Sequence, residues 1–133
     1  MQTVSSPFLR RVLLLDAIAS GATGLLLAFG AAMLAPITGI DPSVAGPAGY
    51  FLIPYAGLVA WLASRPAQPV PLVWAVVAVN ILWVVESLGV LALGYLSPNV
   101  LGLVFVIAQA VVVGVFAELQ ILGLKKARAS AAA

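Results

Sequence analysis

Four long apolar stretches alternate along this chain with short segments that collect its turn formers and its charges. The stretches run from about Phe8 to Ala35, Pro47 to Ser64, Pro71 to Leu96 and Asn99 to Leu124. Each is close to the ~20 helical residues that cross a hydrocarbon core of roughly 30 Å. The pattern therefore predicts an all-α, polytopic membrane protein: four transmembrane helices joined by short loops, forming one membrane domain over residues 1–133.

Prolines and turn formers punctuate these spans. Pro7 suits a first helical turn, and Pro36 is expected to end helix one. Ile37 to Gly46 gathers Thr38, Gly39, Asp41, Pro42, Ser43 and Gly46, which reads as a loop. Pro54 inside helix two is expected to kink it near Tyr50. Arg65 to Pro71 makes a stiff second loop, Ser97-Pro98-Asn99 a tight turn, and residues 125–133 a small mobile tail. The first apolar run exceeds the about 7–15 residues of a signal-peptide core and ends in Pro36, so it reads as a retained helix.

Composition agrees with lipid as the solvent. The 133 residues are 64% hydrophobic and only 8% charged, with mean hydropathy +1.21, against the about 25% charged residues of a soluble domain. All six basic residues, Arg10, Arg11, Arg65, Lys125, Lys126 and Arg128, lie in the lead, the second loop and the tail. Cytoplasmic segments carry the excess of Lys and Arg, so both termini are expected in the cytoplasm. Location in a cell inner membrane, as a multi-pass protein, follows as the expectation. The net charge of +2 is thereby explained by topology, and no nucleic-acid partner is expected.

Helices one and three run in the same direction, which invites a test for a tandem repeat of two-helix units. Sliding by 64 positions pairs Asp16 with Asn80, Thr23 with Ser87, Ala28 with Ala92 and Gly30 with Gly94. In the second helices a shorter offset of 54 pairs Phe51, Ile53, Ala56, Val59 and Ala63 with Phe105, Ile107, Ala110, Val113 and Ala117. Shared composition is the alternative source of these matches.

Few polar groups enter the spans, and each needs a reason to be there. Asp16, Ser20, Gly24, Ala28 and Ala32 form a four-residue-spaced row on helix one, and Gly102, Val106, Ala110, Gly114 and Glu118 a comparable row on helix four. Packed stripe to stripe, these rows would bring Asp16 and Glu118 to similar depth within reach of Arg10, Arg11 or Lys125, a cytoplasmic polar cluster. That cluster reads either as an ion-pair network that seats the bundle or as a proton or ion relay. Asn80 and Gln109 both fall near the midplane, where an interhelical hydrogen bond between them would act as polar glue or contact a ligand.

Glu86 has no basic residue at its depth. An unpaired charge in lipid costs from ~2.5 to over 10 kcal/mol, so Glu86 needs a partner, a proton or water. Tyr50, Tyr55 and the carbonyl freed by Pro54 are its expected partners. Glu86, Asn80, Gln109, Trp83 and Tyr55 together make the candidate ion or ligand site. Trp61 and Trp74 near the second loop, and Tyr50 and Tyr95 near the other boundary, read as interfacial anchors.

Several chemistries lack their residues. With no cysteine and no histidine there is no thiolate nucleophile, no Cys-based metal site and no haem-ligating imidazole. Retinal would need a lysine within a helix. No Gly-rich phosphate loop and no Ser, His and Asp set are present, so neither an enzyme nor a cofactor is expected. The remaining enzymatic option is general acid or base work by Asp16, Glu86 or Glu118.

The opening Phe8-Leu9-Arg10-Arg11-Val12-Leu13-Leu14-Leu15-Asp16 and the late Val115-Phe116-Ala117-Glu118-Leu119-Gln120 resemble segments of uncharacterised four-helix proteins of bacterial inner membranes. That resemblance spans most of the chain and implies a fold but no activity. Small multidrug transporters are similar in size and also place an acid in their first helix, as Asp16 is placed here; their other motifs do not match. The expected function is a small structural or accessory subunit, as a homo-oligomer or with a partner in a membrane complex. The alternative is a small oligomeric transporter or channel using Glu86 or Asp16 as a proton or ion site. A third reading is a pocket for a lipid, quinone or pigment among Trp83, Tyr55 and Phe105.

Overall fold

The computed structural model describes residues 2–132, which form four helices and a two-residue-per-strand ribbon: α1 (Pro7–Thr38), α2 (Pro42–Ser64), α3 (Val70–Ala92) and α4 (Val100–Ala132), with β1 (Thr3–Val4) antiparallel to β2 (Gln68–Pro69). All four helices are long and apolar enough to cross a membrane. Their outward faces are apolar as well: Phe29, Met33, Leu93 and Val100 are each at least 70% exposed. A surface of this kind suits lipid. The chain is an all-α, multi-pass membrane protein.

Helix ends explain where the observed spans depart from those expected. Helix α1 runs through Pro36 to Thr38 instead of stopping at Ala35. A proline in the last turn forfeits little there, and Gly39 ends the helix in the left-handed region (φ 72°), donating its N–H to the Ala35 carbonyl. Helix α2 begins at Pro42, not Pro47, because Asp41 caps it: the Asp41 carboxylate accepts the Ser43 N–H at 2.9 Å, and Pro42 occupies the first helical position. Pro47 and Pro54 both lie within this one continuous helix. Helix α3 stops at Ala92, four residues early, where Gly94 turns left-handed (φ 78°). Asn99 then caps α4, its Oδ1 accepting the Gly102 N–H at 3.0 Å.

The tail is a further departure. Helix α4 continues from Lys125 to Ala132 in place of a mobile segment, and Ala133 lies outside the described residues. Leu124 and Ala127 are buried in the same core as Val4, Leu9 and Val70, which gives the extra turns something to pack on. Arg128 donates to the Gln2 side chain at 3.3 Å.

Packing is uneven around the bundle. Helices α1 and α2 are the closest pair, α3 packs on α4 and α4 on α1, whereas α2 and α3 barely approach. Close approach of α1 and α2 is set at Gly24 and Gly49: a Cβ on Gly49 would lie 2.7 Å from the Gly24 carbonyl oxygen. Gly102 is likewise pressed on the Thr38 carbonyl, and Asn99 donates to the Ile37 carbonyl at 2.7 Å, tying α4 to the end of α1.

At the other end, the ribbon joins the lead to the second loop. The Val70 N–H donates to the Gln2 carbonyl at 2.8 Å, Ser5 to the Pro66 carbonyl, and Arg10 to the Arg65 and Pro66 carbonyls at 2.8 and 3.1 Å. Lead, second loop and α4 terminus, and with them every Lys and Arg of the chain, therefore share one end of the bundle.

Candidate functional site

Asp16 on α1 is fully buried, at 0% exposure, within the bundle. It lies five residues beyond Arg11, about 8 Å along the helix at ~1.5 Å per residue. Its Oδ1 accepts the Ser20 hydroxyl at 2.9 Å. Its Oδ2 is approached by the Tyr55 hydroxyl at 3.1 Å, the Asn80 amide nitrogen at 2.9 Å and the Gln120 amide nitrogen at 2.7 Å. Each of the four helices thus contributes a side chain to one carboxylate.

The partners also bind each other. Tyr55 lies 2.8 Å from the Asn80 carbonyl oxygen, so its single proton serves either that oxygen or Asp16. Asn80 donates to the Gln120 carbonyl oxygen at 3.0 Å. Every partner of Asp16 is neutral. In a medium without water, such donors are what stabilises an anionic carboxylate, and bonds of this charged type contribute about 1.5–3 kcal/mol each.

A second polar cluster lies nearer the other end. Trp83 Nε1 donates to Gln109 Oε1 at 2.7 Å, and Gln109 Nε2 donates to Ser87 Oγ at 3.1 Å and to the Val106 carbonyl at 2.9 Å. Three rings stack beside it: Phe51 lies between Tyr55 and Trp83, with centroids 6.3 and 6.0 Å away and planes within 11°. Because Tyr55 and Phe51 belong to α2 and Trp83 to α3, this stack bridges the loosely packed pair.

Beside the stack the bundle holds two half-open pockets. An inner chamber of about 180 Å³ reaches Ser20, Tyr55 and Asn80 of the carboxylate cluster. An outer chamber of about 160 Å³ is lined by Leu27, Ile40, Glu86, Ser87 and Phe105 among others. Thr23, Trp83 and Gln109 line both, so the two form one cleft with a waist at the Trp83–Gln109 hydrogen bond.

The residues singled out from sequence are thereby redistributed. Asn80 and Tyr55 meet, but at Asp16. Asn80 bonds Gln120 instead of Gln109, which turns to Trp83 and Ser87. Glu86 is exposed at the edge of the outer chamber and makes no hydrogen bond among the described residues; Tyr50 packs edge-on against Phe29, and Tyr55 is engaged elsewhere. The cytoplasmic cluster of Asp16, Glu118, Arg10 and Arg11 does not form: Glu118 and Arg11 are exposed, and Arg10 is bound to loop carbonyls.

Gln120 and Ser87 are the members that sequence reasoning missed. Gln120 was detectable as an uncharged polar residue inside the last apolar run, five residues before Lys125. Trp61, Trp74 and Tyr95 lie near helix ends with exposed rings, in keeping with interfacial anchoring, whereas Tyr50, expected to be an anchor too, sits well inside α2 because that helix starts at Pro42. No protein-family model matches this sequence, and neither a curated protein nor a solved structure matches it.

Proposed function

We propose that the chain is a small inner-membrane protein of the transport class, both termini cytoplasmic, in which Asp16 binds and releases a proton. The observation that carries this reading is the choice of an acid at the meeting point of four helices with neutral partners only. A clasp needs no carboxylate, since Ser, Asn and Gln already hydrogen-bond between membrane helices, and the acid is the costly member in lipid.

The surrounding groups suit both protonation states. An anionic Asp16 receives Ser20, Tyr55, Asn80 and Gln120 as donors. A neutral Asp16 needs one acceptor for its O–H, and a half-turn of the Asn80 or Gln120 amide exchanges a donor nitrogen for an acceptor oxygen. Tyr55, the other titratable group in the cluster, borders the inner chamber together with Asn80, which links the acid to the cleft. Arg10 and Arg11 are the nearest cations along α1, and Lys125 along α4.

Purified protein in liposomes loaded with a pH-sensitive dye tests this reading under an imposed pH gradient. Proton movement should depend on the wild-type chain and vanish in Asp16→Asn, a nearly isosteric change that removes the titratable group. Flux identical in wild type and Asp16→Asn, or absent from both, removes the proposal. The second reading, an accessory or oligomeric subunit, is favoured by the same cluster joining every helix; it predicts no flux in either protein and a lower thermal midpoint for Asp16→Asn.

A further inference from the structure

We infer that the cleft between α2 and α3 is a binding site for a lipid-soluble alcohol: an uncharged molecule with a slender apolar body and a hydroxyl head, entering sideways from the bilayer. Occupancy of this site requires no proton transfer at Asp16, although its inner chamber borders the Asp16 cluster.

Its position comes first. All four helices line the cleft, and α2 and α3 are the loosest neighbours among them; between these two, Phe51 and Trp83 stack at 6.0 Å like a pair of door leaves. Both residues line the inner chamber. A molecule dissolved in lipid reaches them without crossing water.

Size and walls come next. The chambers, about 160 and 180 Å³, each match the ~150 Å³ apolar cavity that accepts a benzene ring. Their walls are predominantly apolar, with Leu27, Phe105 and Val106 on one side of the waist and Phe51, Val113 and Phe116 on the other. An extended chain or a row of small rings fits such a shape.

The unused polar groups then select the head. Gln109 has both amide protons and its carbonyl oxygen engaged. Ser87 accepts from Gln109 but donates to nothing among the described residues, the Thr23 hydroxyl makes no hydrogen bond there, and Glu86 stands at the rim. Two hydroxyls and a carboxyl ask for a head that both donates and accepts. A hydroxyl does both, whereas an ammonium cannot accept. An anionic head is disfavoured by charge: every Lys and Arg belongs to the opposite end, while this end carries Glu86 and Asp41.

The test uses the full chain in zwitterionic liposomes with a long-chain alcohol bearing a photoreactive diazirine. Matched amine and carboxylic acid probes serve as the other arms, and crosslinks are mapped by mass spectrometry. The alcohol should label the segments around Phe51, Trp83 and Phe105 in preference to the lipid-facing Phe29 and Met33. Unlabelled alcohol should compete. Thr23→Val and Ser87→Ala should each reduce labelling about two- to tenfold, the worth of one hydrogen bond, while Thr23→Ser retains it. Labelling spread evenly over Phe29, Met33 and the cleft overturns the proposal, as does preferential capture of the amine or the acid.

Discussion

The Asn80 side chain donates to the Asp16 carboxylate at 2.9 Å, joining α3 to α1, two helices whose backbones do not pack closely. These residues are also partners in the 64-position repeat alignment. The two hairpins nevertheless sit differently: α4 packs on α1, while its counterpart α2 stays apart from α3. That asymmetry opens the cleft on one side only, and the cluster at Asp16 holds α3 in place across it.

Asn80→Leu should therefore destabilise the bundle. Removing the amide takes away one donor to Asp16, the acceptor of the Tyr55 proton and the donor to Gln120. An orphaned buried polar group costs about 1–3 kcal/mol, and thermal unfolding in detergent should show a loss of that size. Asn80→Asp would place two acids together and should lower stability at neutral pH more than in mild acid.

Glycine positions offer a sharper contrast. Gly49→Ala drives a Cβ into the backbone of α1 at Gly24, Leu27 and Ala28, so α1 and α2 must separate, and a loss of about 1–3 kcal/mol or more is expected. Gly57→Ala on the same helix meets nothing within 4 Å; it should be neutral or gain up to about 1 kcal/mol in helix propensity. Equal losses in the two variants would contradict the packing described.

Run length and basic-residue placement made the four helices legible, because lipid demands long apolar spans and nothing else in the chain could supply them. Helix rotation was not legible, and the row on α4 shows why. Residues four apart advance 400°, so Glu118 lies about 160° around a straight helix from Gly102, whereas Gln120 lies within about 40° of Val106. Strict four-residue spacing thus drifted off the buried face, which runs through Val106, Ala110, Ala117, Gln120 and Leu124. The same drift led to Glu118 in place of Gln120 as the partner of Asp16. Pairing Asn80 with Gln109 failed for a related reason: equal heptad spacing does not fix the axial offset of two antiparallel helices. Asp41-Pro42-Ser43, by contrast, is a local capping signal present in the sequence and read there as loop.

Topology is open to direct labelling because the chain has no cysteine of its own. Arg11→Cys and Arg65→Cys should react with an impermeant thiol reagent from one side of sealed vesicles, and Ser97→Cys from the other. Arg65→Cys reacting on the same side as Ser97→Cys would refute the shared basic end.

The cap of α2 should respond to acid. Hydrogen bonds from the Ser43 backbone and hydroxyl hold the Asp41 carboxyl below its ordinary value of 3.8. A lowered folded-state value means that the cap stabilises the fold in full above that ordinary value, and that this contribution is lost as pH falls further through the folded one. Amide exchange at Ser43 to Ala45 should therefore rise in strong acid relative to the rest of α2, and Asp41→Ala should show that fraying already at neutral pH.

Proton uptake at the buried Asp16 carboxyl can be read by pH-difference infrared spectroscopy of the protein in lipid. A carboxyl carbonyl band should grow on acidification, disappear in Asp16→Asn, and shift in Asn80→Leu and Gln120→Leu through the lost hydrogen bonds. A difference spectrum that Asp16→Asn leaves unchanged would show that no proton is taken up at this position.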